Sequence, residues 1–167
     1  RILRRGGVVA YPTETVYGIG ANYLNKKAIE RLKNVKDRPE SKPFSVHISR
    51  FNMLDELKIH LSRNVVRLIN KFWPGPLTIV AFNKDKHKIG LRMPRNKVAM
   101  RLIDLASVPV VAPSANVKDD NPPSSLDEIS SYIRDSVDVI LDGGATDIGI
   151  ESTVLDVTTR PFTILRQ

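Results

Sequence analysis

"LTIVAFNKDKHKIGLRM", residues 77–93, decides the fold. Two apolar runs, Leu77 to Phe82 and Ile89 to Met93, read as strands, and only the basic turn "NKDKHK" lies between them. A parallel pair needs a crossover of about a dozen residues or more, so this link permits antiparallel pairing alone. Elsewhere strand-like runs alternate with helix-period segments, the pattern of an α/β fold. The expected architecture is one α/β domain, residues 1–167, with a mixed parallel and antiparallel sheet flanked by helices.

Upstream, Ser62 to Trp73 reads as an amphipathic helix with Val65, Val66, Ile69 and Phe72 inward, stopped by "PGP" at Pro74 to Pro76. "FSVHI", Phe44 to Ile48, alternates as a strand does. Asn25 is an N-cap candidate for a helix whose Ala28, Ile29, Leu32 and Val35 share a face and which Pro39 ends. Val8 to Tyr11 is a strand closed by Pro12, and "TETVYGIG" reads as a loop given room by Gly18 and Gly20. Downstream, "VAMRLIDLA" is a helix leading to a strand at Val110 to Ala112. Ser125 and Glu128 suggest a capping box for a helix reaching about Tyr132. Further strands are expected at Val137 to Leu141, Ser152 to Val157 and Phe162 to Leu165.

Among 167 residues, 41% are hydrophobic and 26% charged, enough apolar content for a packed core without disulfides or structural metal. Lys and Arg number 26 against 18 Asp and Glu, a net charge of +8 that favours phosphate- or carboxylate-bearing partners. No cysteine is present, which removes thiolate chemistry and points to a reducing, cytoplasmic setting. No apolar run approaches the roughly 18–20 residues of a membrane span. GxxxxGK[ST], HExxH and GxSxG are all missing, and His47, His60 and His87 are scattered, so no metal site is expected.

Polar residues where strands end are the remaining candidates. Thr13, Glu14 and Thr15 either hold a small polar substrate or serve local turn chemistry. In "KNVKDRPESKP", residues 33–43, Lys36, Arg38 and Lys42 either clamp phosphates or form a solvated run balanced by Asp37 and Glu40. "APSAN" sets Ser114 and Asn116 after a buried strand, as phosphate or purine contacts or as turn formers. Arg92, on an apolar strand, either faces solvent or pairs with an acid or a substrate carboxylate. Ser152 begins a strand, Arg166 ends one, and His47 reads most simply as a strand histidine with its hydrogen bonds met.

Taken together, "GGVVAYPTETVYGIG", "KDRPESKPFSVHI", "FWPGPLTIV", "GLRMP", "PVVAPSAN", "ESTVLDV" and "ILRQ" resemble, in this order, the YrdC family of threonylcarbamoyl-AMP synthases. The resemblance implies a twisted sheet around a basic concave cleft. It also implies an ATP-dependent nucleotidyl transfer that joins L-threonine and bicarbonate into threonylcarbamoyl-AMP and releases pyrophosphate. That product feeds the N6-threonylcarbamoyladenosine modification at position 37 of tRNA through downstream transfer machinery, and RNA contact through the cleft goes with it.

Carried over by motif, Thr15, Thr13, His47, Arg92, Ser114 and Ser152 surround threonine, while Lys36, Arg38, Lys42, Asn116, Ser124 and Arg166 surround ATP. No covalent or acid–base residue is implied, and magnesium arrives with ATP. Relatives often carry Ser-Gly soon after "SAN", where this chain has "VKDDNPP". Longer relatives add a C-terminal domain, so the chain reads as a short form or an isolated catalytic domain. Segment 143–149 is a candidate for shielding labile intermediates from water. Two rivals remain: an RNA-binding module without turnover, and a YrdC-like domain forming carbamoyl adenylate.

Overall fold

The computed structural model describes residues 1–36, 44–118 and 120–167. Strands β1 (Val9–Pro12), β2 (Tyr17–Asn22), β3 (Ser45–His47), β4 (Leu77–Phe82), β5 (Lys88–Arg92), β6 (Val110–Val111), β7 (Val139–Ile140), β8 (Thr153–Asp156) and β9 (Thr163–Arg166) join in one sheet. Their order is β7-β1-β2-β6-β3-β5-β4-β8-β9. The β4–β5 pair is antiparallel, with Ile79 opposite Leu91, as the short basic turn requires. Parallel pairing occurs at β1/β7, β3/β5 and β4/β8, each joined through intervening elements, so the sheet is mixed as expected.

Helices α1 (Lys26–Lys36), α2 (Met53–Glu56), α3 (Arg63–Phe72), α4 (Lys97–Ala106) and α5 (Ser131–Ser136) flank it. Asn25 Oδ1 accepts from Ala28 N at 3.2 Å to start α1, which buries Ala28, Leu32 and Val35. Each large aliphatic side chain sealed in this way contributes roughly 1.5–3 kcal/mol of transfer free energy. Helix α3 lies where expected, with Ser62 as its N-cap, but the inward face is narrower: Val65 and Ile69 are buried, whereas Val66 and Phe72 are 38% and 45% exposed. Trp73, just past the helix, fills that part of the core instead and donates from Nε1 to Leu77 O at 2.7 Å.

"TETVYGIG" differs more. Tyr17 to Asn22 form β2, buried along its whole length and paired with β1 on one side and β6 on the other. Gly20 serves close packing here: a Cβ there would lie 2.7 Å from both Tyr11 Cε1 and Val110 Cγ1. The expected capping box at Ser125 is also replaced. Residues Leu126–Glu128 make a single 3₁₀ turn, and the Glu128 carboxylate accepts from Ser124 N (2.6 Å) and Ser124 Oγ (3.0 Å). The helix proper starts later, capped by Ser130. No described helix is long and apolar enough to cross a membrane.

Candidate functional site

A cavity of about 280 Å³ opens over one face of the sheet, walled by the β1–β2 turn, residues of β3, β4, β5, β8 and β9, and the segment after β6. Thr13, Thr15, His47, Arg92, Ser114, Ser152 and Arg166 all line it. Sequence reasoning gathered these residues without the strand order; the fold brings them together because alternate residues of neighbouring strands, Ser45 and His47, Thr78 and Val80, Gly90 and Arg92, share one face of the sheet, over which the β1–β2 turn and the segment after β6 also reach.

On the β1–β2 side, Thr13 Oγ1 donates to Val16 O (2.7 Å) and accepts from the backbone N–H groups of Thr15 (3.1 Å) and Val16 (3.2 Å). The same oxygen lies 2.8 Å from Thr15 Oγ1. Either hydroxyl can supply the proton in that contact, since Thr13 Oγ1 already accepts from two backbone N–H groups. Thr13 thus carries the turn, and Thr15 lines the cavity beside it.

Arg92 is buried, and its Nη2 lies 2.9 Å from Oε1 of Glu14, itself 0% exposed. Of the alternatives open for Arg92, pairing with an acid is realised. The contact is not aligned as a hydrogen bond, and Glu14 Oε1, Glu14 Oε2 and Arg92 Nη2 lack such a partner among the described residues. Arg92 Nε donates to Gly75 O at 3.2 Å. Burial lowers the guanidinium below its ordinary value, with Glu14 opposing the shift. His47, from β3, is held 2.9 Å from Tyr11 OH through Nδ1. Burial first, and the Arg92 charge second, keep it well below the ordinary histidine range, so the ring is neutral.

Across the cavity, Ser152 Oγ meets Thr78 Oγ1 at 2.8 Å. Arg166 Nε donates to Ser152 O (2.9 Å), while its Nη1 pairs with Glu151 Oε2 at 2.6 Å. Both described guanidinium groups of the cavity therefore face carboxylates. Arg38 and Lys42, also expected at this site, lie outside the described residues.

Lys36 and Asn116 sit behind the wall rather than in it. Lys36, buried at the end of α1, donates to the carbonyls of Ser114 (2.9 Å) and Asn116 and to Asn116 Oδ1 (3.2 Å). Together with Ala115 N to Tyr17 O (2.8 Å), these bonds fix the "APSAN" turn against β2. Ser124 does not line the cavity; its hydroxyl turns to Glu128.

Segment 143–149 is fastened here: Ile148 N donates to Glu14 O and Gly149 N to Thr15 O, both at 2.9 Å, and Tyr17 OH donates to Gly144 O at 2.8 Å. Thr78 and Glu151 line the cavity and Tyr11 bonds its His47, and the sequence reading left out all three. A hydroxyl inside the apolar run "LTIV" was the available signal for Thr78; nothing local marks Tyr11.

No group of three or more His, Cys, Asp or Glu able to hold a metal occurs among the described residues. A hydroxyl-lined cavity with a neutral imidazole and paired guanidinium groups, set on one face of a mixed sheet, defines an α/β protein with a small polar pocket. The Sua5, YciO and YrdC family model, described as "Telomere recombination", matches residues 1–167, and the chain belongs to that family.

A threonylcarbamoyl-AMP synthase of Pyrococcus abyssi is 38% identical over 98% of this chain and 51% of its own length. One from Bacillus subtilis is 36% identical over 92% of this chain and 47% of its own. The chain thus spans about half the length of these relatives. A crystal structure of P. abyssi Sua5 complexed with L-threonine superposes with a TM-score of 0.94 at 38% identity, covering 99% of this chain and 51% of that one.

Proposed function

We propose that residues 1–167 are a catalytic domain that makes L-threonylcarbamoyl-AMP from L-threonine, bicarbonate or carbon dioxide, and ATP. The carrying observation is the cavity: the hydroxyls of Thr15 and Ser152 and the Arg92 guanidinium converge on one space in a fold shared with a Sua5 that binds L-threonine. The threonine amine captures carbon dioxide to give a carbamate. A carbamate oxygen attacks the α-phosphorus, the bond to the bridging oxygen breaks, and pyrophosphate leaves.

Such a step requires alignment and charge stabilisation rather than a covalent enzyme intermediate. Arg92 meets the threonine carboxylate through the part of its guanidinium that Glu14 does not occupy. Arg38, Lys42 and Arg166 stabilise the phosphates. Lys36 acts by holding Asn116 and Ser114 in place. Magnesium would accompany ATP, held by phosphate oxygens and water. The product then passes to tRNA-modifying transfer machinery in the cytoplasm.

The test is pyrophosphate release from ATP and bicarbonate with and without threonine. Threonine-dependent release supports the reading. Release that ignores threonine indicates carbamoyl adenylate formation instead, and no release alongside tight, salt-sensitive RNA binding indicates a binding module.

A further inference from the structure

We infer that Tyr11 is a positioning residue that fixes the tautomer of His47, donating its phenolic O–H to Nδ1 so that the ring presents Nε2–H to the cavity as a hydrogen-bond donor. This deepens the proposed synthase reading and, for the identity of the acceptor, rests on it: the acceptor is an oxygen of the bound amino acid or of its carbamate.

The two residues are not sheet neighbours. Tyr11 lies on β1 and His47 on β3, with β2 and β6 between them. The tyrosine ring reaches across because β2 carries Gly20 beneath it: any Cβ there would lie 2.7 Å from Tyr11 Cε1 and from Val110 Cγ1. Val110 is in turn the β6 partner of His47. A long aromatic side chain is thus accommodated over a glycine and ends on the imidazole, with the rings edge to face at 6.1 Å between centroids and 77° between planes. Filling that space needs only a phenylalanine; the hydroxyl is the added feature.

Proton direction follows by elimination. Tyr11 is fully buried, and His47 Nδ1, at 2.9 Å, is its hydroxyl's hydrogen-bond partner among the described residues. The other polar group felt by both residues is Arg92, which has no lone pair to offer. Were Nδ1 protonated, it would donate to the tyrosine oxygen and leave a buried O–H facing no acceptor. With Tyr11 donating, both groups are satisfied and the ring proton sits on Nε2. His47 lines the cavity, and its Nε2 is not among the buried atoms lacking a partner, so that nitrogen is the one open to a ligand. A neutral donor beside Arg92 stabilises negative charge on a substrate oxygen without taking up a proton.

Long-range ¹H–¹⁵N correlation spectra of the ligand-free protein report the tautomer directly, with His47 assigned by its loss in His47→Gln. The expected result is neutral Nε2–H in the parent and a shift towards Nδ1–H, or a mixture, in Tyr11→Phe, with backbone amide signals otherwise retained. Tyr11→Phe should lower kcat/KM for threonine about tenfold with the KM for ATP unchanged. His47→Gln, whose amide can donate from near the Nε2 position, should keep more turnover than His47→Leu. An Nδ1–H ring in the parent, or an unchanged tautomer in Tyr11→Phe, overturns the inference whatever the reaction is. The expected tautomer with equal activity in the Gln and Leu variants overturns the donor role. Failure of threonine-dependent pyrophosphate release overturns the function and leaves the parent tautomer standing.

Discussion

Glu14→Gln is the sharpest probe of how the site is built. The Glu14 and Arg92 side chains are 0% and 5% exposed and meet at 2.9 Å. At that separation the gross attraction is about 6 kcal/mol for an effective dielectric of about 20. Desolvation of both groups offsets much of this, so the intact pair contributes little net stability. Removing one partner is different, because the other charge stays buried and uncompensated, at a cost of about 3–5 kcal/mol. For a chain of this size each kcal/mol lowers Tm by about 2–4 °C, which puts the expected loss at about 6–20 °C.

Glutamine keeps the shape, so packing does not confound the result. The assay is thermal and urea unfolding of the parent, Glu14→Gln, and a double variant with Glu14→Leu and Arg92→Met. The double variant should be more stable than Glu14→Gln, since it leaves no orphaned charge. On the proposed function, saturating threonine should raise Tm more in Glu14→Gln than in the parent, its carboxylate standing in for the lost one. A single variant melting within about 2 °C of the parent, or a double variant less stable than the single, refutes the reasoning.

Gly20→Ala should lower stability by about 1–3 kcal/mol through overpacking against Tyr11 and Val110; an unchanged urea midpoint counts against the close approach. The Arg31 hydrogen bond holds the Asp138 carboxyl below its ordinary 3.8, with the Val8 N–H helping and burial opposing. Its stabilising contribution is therefore fully present above that value and lost as pH falls through the depressed one; the urea midpoint of Asp138→Asn should fall less steeply with acid than that of the parent. Arg38→Ala should reduce ATP turnover about ten- to a hundredfold, from about 1.5–3 kcal/mol for a charge-assisted hydrogen bond, and parental activity removes that residue from the site. Arg92→Ala should impair threonine use more than ATP use in steady-state kinetics, whereas equal losses speak against its carboxylate role.

Periodicity found the helices because burial of one helix face repeats every three to four residues: Ala28, Leu32 and Val35 lie inward on α1, and Ala99 and Ile103 on α4. It failed at "TETVYGIG", where two glycines suggested a loop although the strand is among the most deeply buried. Glycine tolerates a turn, but it also lets another side chain cross the backbone, and only the neighbour distinguishes these uses. Phe72 failed for a related reason: the helix ends there, and Trp73 takes the interior position.

By itself the sequence determined the antiparallel β4–β5 hairpin, the helix starts at Asn25 and Ser62, and the set of hydroxyl and cationic residues at strand ends, all of which depend on residues a few positions apart. Tertiary structure alone decided the partners. Lys36 turns inward to a carbonyl 78 residues away, and Tyr11 reaches a histidine 36 residues away. Arg92 lies against a glutamate from a different strand's end. Such pairings follow from the order β1-β2-β6-β3-β5 across the sheet. Local propensity carries no information about that order, because the contacts that fix it form between segments whose separation in the chain is unrelated to their distance in space.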